Sequence, residues 1–131
     1  MITKEEMIDP ILEVSPGFKP AWNEFLDEWK EENDLPIYLA LGELARYIGQ
    51  LHTKGHKEEV KSIFAIVEKW YLEGDSYVKE AATVGLLEDL QNTNVVGEGV
   101  PHSLEAYLLP ETKRWWVKVT NFWEKGEIIS E

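Results

Sequence analysis

The stretch Asp75 to Gln91, DSYVKEAATVGLLEDLQ, constrains the fold more than any other part of the chain. Its apolar residues Val78, Ala81, Ala82, Val84, Leu86, Leu87 and Leu90 exceed what one face of period 3.6 can hold. A helix here is apolar around most of its girth, and such a helix belongs in the middle of a structure. Asp75 or Ser76 is placed to cap its first free amides, and Ala81, Ala82 and Gly85 let neighbouring helices come close. No stretch of the chain assembles a catalytic group in the same way. The sequence therefore specifies a fold and a binding role, and discloses no chemistry.

A length of 131 residues suits one hydrophobic core. The formal net charge of -12 does not imply disorder, because six tryptophans, five tyrosines and four phenylalanines supply ample surface to bury. That charge opposes nucleic acid and anionic membranes, and calls for a basic partner. Without cysteine there is neither a disulfide framework nor a thiolate metal site. The start Met-Ile-Thr-Lys-Glu-Glu does not read as a secretory signal, and no apolar run nears the roughly 20 residues that cross a bilayer. The expected compartment is the cytoplasm.

Along the chain, Thr3 to Glu6 has capping-box spacing and opens a helix that turns Met7, Ile8, Ile11 and Leu12 inward, with Pro10 a candidate interruption and Ser15-Pro16-Gly17 its end. After Pro20, the offsets of Trp22, Phe25, Leu26 and Trp29 mark an amphipathic helix reaching toward Asn33. A third helix runs from Ile37 to Leu51, although Gly42 and Gly49 cost up to about 1 kcal/mol each against alanine; close packing is the ordinary reason to keep them. Val60 to Tyr71 gives the clearest periodicity, with Gly74 as its expected stop. Residues 92–102 read as a long exposed loop, and residues 103–125 as aromatic helices carrying Trp115, Trp116, Phe122 and Trp123. The tail after Gly126 is expected to fray unless Ile128 and Ile129 dock.

No alternating run bounded by hairpin turns favours strands, so the fold class is all-α. The expected architecture is a single-domain antiparallel bundle of about six or seven helices over residues 1–131, with repeat-like superhelical curvature as a variant. Its parts are acidic N-terminal helices over 3–33, a central three-helix unit over 37–91, the loop 92–102 and aromatic helices over 103–125.

Charge is the most distinctive surface feature. Residues 1–34 carry ten acids against three lysines, a net of -7 out of -12. Glu24 with Glu28, Asp27 with Glu31, and Glu28 with Glu32 are like-charge pairs at i, i+4, each costing roughly 0.2–0.5 kcal/mol on a helix. A basic partner would relieve them; a solvated face kept for solubility is the plainer explanation. Glu88 and Asp89 form a second acidic patch, and Val95 to Val100 are candidates for apolar contacts. Glu43 is the candidate buried carboxylate, bonded to Arg46 or a tyrosine.

His52 and His56 have metal-ligand spacing, but Gly55 intervenes and no third ligand stands nearby, so ordinary turn histidines are expected. The tryptophans serve either the core or a partner. No phosphate loop or activated nucleophile is legible, and neither enzyme activity nor a cofactor is expected.

At Leu44-Ala45-Arg46-Tyr47, Glu68, Glu73-Gly74-Asp75 and Val84 to Gln91, the sequence resembles a family of small all-helical bacterial proteins, some of them similar to immunity proteins encoded beside polymorphic or contact-dependent toxins. The resemblance covers the middle half of the chain and the aromatic C-terminal helix, and carries over no catalytic residue. It implies a compact helical protein that neutralises a toxin. With the charge pattern, it leads to an expected immunity protein, monomeric or weakly dimeric, that meets a basic cognate toxin through Glu24, Asp27, Glu28, Glu31 and Glu32, with Glu88 and Asp89 as a second patch. A helical adaptor or scaffold bound through aromatic surface is the alternative.

Overall fold

Asp75 does start the central helix: its carboxylate accepts the Val78 N–H at 2.9 Å. The computed structural model describes residues 1–130. Helix runs continuously over residues 76–90, here α5, but its middle, Ala81–Leu87, is wound as a π-helix between the α-helical turns Ser76–Glu80 and Glu88–Leu90. Val78, Ala81, Ala82, Leu86, Leu87 and Leu90 are completely buried, whereas Val84 is 41% exposed. The helix is thus buried on most of its girth, with one solvent edge.

Among the described residues there are eight helices and no sheet. The others are α1 (Ile8–Val14), α2 (Lys19–Glu28), α3 (Ile37–Thr53), α4 (Lys57–Glu73), α6 (Thr93–Val96), α7 (Val100–Leu104) and α8 (Pro110–Lys125), with single 3₁₀ turns at Lys4–Glu6, Pro16–Phe18 and Glu105–Tyr107. The expected all-α class is the observed one.

The core sits between α3, α4, α5 and α8, closed at one end by α1. α3 shares the central place with α5. Gly49 is there for close approach, since a Cβ on it would lie 3.0 Å from the Val96 Cβ and 3.2 Å from its Cα, whereas one on Gly42 would meet only the end of the Asp89 side chain, at 2.9 Å. Gly85 lets α5 return the contact, since its Cβ would lie 3.3 Å from the Tyr38 Cα.

Several boundaries differ from the sequence reading. The Thr3–Glu6 box forms, with the Thr3 N–H on the Glu6 carboxylate at 3.0 Å, but it caps a 3₁₀ turn, and α1 begins only at Ile8. Pro10 does not interrupt α1, because it occupies the first turn, where no intrahelical N–H is needed. Gly74 ends α4 in extended backbone, and the Trp70 carbonyl and Val78 leave no room there for a side chain. Ile2 pairs with that turn, donating to the Glu73 carbonyl at 2.8 Å and accepting from Asp75 at 3.0 Å.

The exposed loop expected over 92–102 is the clearest correction. It folds as α6 and the start of α7, joined through Gly97 and Gly99 at positive φ (106° and 77°), and Val96 and Val100 are buried in the core. Asn92 caps α6 by accepting the Asn94 N–H at 2.9 Å. In the tail, Ile129 packs against the core and Ile128 does not.

Candidate functional site

α2 lies on α3 as an outrigger. Of its apolar stripe only Phe25 is fully buried; Trp22, Leu26 and Trp29 are half-buried. Trp22 stacks on Phe25 (5.4 Å, 20°) and Phe25 tilts toward Trp29 (6.5 Å, 42°), so the three rings form a ladder along the helix. Two clefts open beside it.

One cleft, of about 280 Å³, opens between α2 and α3. Phe25, Trp29, Ala21 and Leu39 form its apolar lining, and Glu24, Glu28 and Glu43 supply carboxylates from both helices. Among the described residues none forms a hydrogen bond or ion pair with these three acids. Glu43, the expected buried carboxylate, is instead exposed and not bonded to Arg46. It stands on a ridge of exposed residues, Leu39, Glu43, Arg46 and Gln50, at helical spacing along α3.

The acidic residues named from sequence fall in three places. Glu24 and Glu28 reach the cleft, while Asp27 is exposed and paired with Lys30 at 3.4 Å. Glu31 and Glu32 lie beyond the end of α2, because Trp29 leaves helical geometry at ψ 19°, so their expected i, i+4 pairings with Asp27 and Glu28 do not form as helical pairs. Glu88 and Asp89 are half-buried at the far side of α3, where Asp89 covers Gly42. Burial pushes the Asp89 carboxyl above its ordinary range against the pull of Arg46, and burial followed by the charge of Asp89 does the same to Glu88.

The two acidic patches thus border one strip of α3. Glu24 and Glu28 meet it at Leu39 and Glu43; Asp89 meets it at Gly42, beside Arg46. Val95 to Val100 contribute differently from expectation, since Val96 and Val100 face the core.

Other polar groups serve the fold. The Ser15 hydroxyl, the Tyr47 hydroxyl (2.7 Å from it) and the Glu59 carboxylate (3.0 Å from Tyr47) tie the Pro16–Phe18 turn to α3 and α4, with Ser15 fully buried. Glu68 on α4 accepts the N–H groups of Glu111 and Thr112 and the Thr112 hydroxyl, at 3.0, 2.8 and 2.7 Å. It is the N-terminal cap of α8, which sequence spacing could not reveal. His52 packs edge-on against Tyr107, and among the described residues no three potential ligands gather around a metal position. The tryptophan pairs divide: Trp115 and Trp116 are buried, Trp115 stacking on Tyr71 at 5.8 Å, while Phe122 and Trp123 stand exposed beyond the end of the core. Truncating Trp115 or Trp116 therefore perturbs the core before any partner surface.

A family model described as a domain of unknown function, DUF7674, matches residues 8–124, from the start of α1 to the last turn of α8. The chain belongs to the DUF7674 family. The DUF7674 match takes in α2, α3 and α5, and hence both acidic patches. No curated protein and no solved structure matches the chain. No described helix is long and apolar enough to cross a membrane.

Proposed function

We propose that this DUF7674 protein works by binding another protein through the exposed strip of α3 and its acidic borders, and that the partner is a basic bacterial toxin which it neutralises in the cytoplasm. The observation that carries the reading is the set of three carboxylates, Glu24, Glu28 and Glu43, left without cations around a cleft walled by aromatic rings. Self-repulsion of this kind is relieved when a basic surface arrives, and a net charge of -12 steers such a surface in from a distance. Neutralisation is by occlusion, with no reaction performed by the chain itself. Co-expression with the product of the adjacent upstream reading frame tests it. The frame alone should arrest growth, this protein should restore it, and Glu28→Lys with Glu43→Lys should lose protection at unchanged levels of folded protein. A harmless frame product, or equal killing with and without this protein, ends the proposal.

The adaptor alternative has one observation of its own, the T-shaped Phe122–Trp123 pair at 5.3 Å, with Trp123 54% exposed. Binding that survives several-fold higher salt and fails on Trp123→Ala favours it.

A further inference from the structure

We propose that the cleft between α2 and α3 receives the guanidinium group of an arginine side chain presented by the partner; this deepens the binding role above and rests on it. About 280 Å³ admits one long side chain, whereas a helix with its side chains is about 10–12 Å across and would not enter. Glu24 and Glu28, one turn apart on α2, face the opening from one side, and Glu43 on α3 from the other. A guanidinium offers five in-plane donors to carboxylates on both sides while its face lies on an aromatic ring; an ammonium cannot stack in that way. Trp29, half-buried in the lining, is the ring within reach of the guanidinium, and Leu39, 54% exposed, suits the aliphatic stem.

The fold itself shows how such a cleft is satisfied. On the other side of α2 a second cleft, of about 230 Å³, is lined by Trp22, Ile8 and Asp34, and there the chain provides its own cation. Lys4 pairs with Asp34 and lies 5.4 Å from the Tyr77 ring. The cleft at Glu24, Glu28 and Glu43 likewise sets carboxylates beside a tryptophan, but it receives no cation from the chain.

Nα-acetyl-arginine amide, with its lysine and citrulline counterparts as controls, tests the assignment on the whole protein by NMR of the tryptophan indole N–H signals. The six tryptophans make five internal references for Trp29. The arginine compound should move the Trp29 signal saturably, the lysine compound should bind about tenfold more weakly, and citrulline should do nothing. In Glu28→Gln with Glu43→Gln the response should vanish while the other indoles keep their positions. An unmoved Trp29, equal binding of lysine and arginine, or a response that persists in the double variant overturns the proposal. Arginine binding by a chain that gives no protection in the growth assay would sink the toxin reading and leave the cleft; protection by a chain whose cleft ignores arginine would do the reverse.

Discussion

Glu68 shows how much one side chain can carry. Its carboxylate is buried and holds three donors at the head of α8. Glu68→Ala strands the buried Thr112 N–H and hydroxyl, which should cost about 3 kcal/mol; Glu68→Gln keeps one acceptor and should cost about 1 kcal/mol. Urea titrations at constant m-value measure both. Glu88 and Asp89 act in the opposite sense. Their carboxyls are raised in the folded state, so the folded chain holds protons that the unfolded chain has released. Stability contributed by these groups therefore falls as pH rises from the ordinary carboxyl range toward their folded values. Glu88→Gln with Asp89→Asn should unfold later than the parent at neutral pH, and the difference should close when pH drops below the ordinary carboxyl values. A gap that stays constant with pH would refute the assignment.

Among the elements, α3 is approached closely by α5 at Gly85 and by α6 at Gly49. Gly49→Ala gains helix propensity of up to about 1 kcal/mol yet places a methyl 3.0 Å from the Val96 Cβ, and overpacking at about 1–3 kcal/mol should win. Pairing it with Val96→Ala should return part of the loss, which a double-mutant cycle reads as coupling. On α5, Leu87→Ala should cost about 2–5 kcal/mol, while Val84→Lys should stay within about 0.5 kcal/mol because its edge is wet. The long helices were legible from periodicity and the Asp75 cap from its residue type. Three features were not. The π-helical winding at Ala81–Leu87 leaves no mark in an all-round apolar run. The two helices within 92–104 are shorter than any window in which period 3.6 can be read, and Gly97 and Gly99 imitate a loop. The stop of α2 at Glu28 was hidden by acids that continue past it.

For the whole molecule, the charge concentrated in residues 1–34 was plain in the sequence, but its arrangement was not. Glu43 joins Glu24 and Glu28 only because α2 crosses α3 beside Leu39, a tertiary contact with no local signature. If the strip is the interface, Glu24→Lys with Glu28→Lys should slow association about tenfold or more at low ionic strength, with the effect shrinking as salt is added; stopped-flow rates decide this. Reversal of Glu31 and Glu32, which lie beyond α2, should do much less. The Glu68 contact also fixes an order of events. The head of α8 is completed by a residue 43 positions earlier, so the side-chain cap of that helix comes from α4 and not from its own sequence. An excised peptide of residues 110–125 should be largely coil, and in refolding the last helix should consolidate after α4, giving Thr112 substitutions low φ-values that mainly speed unfolding.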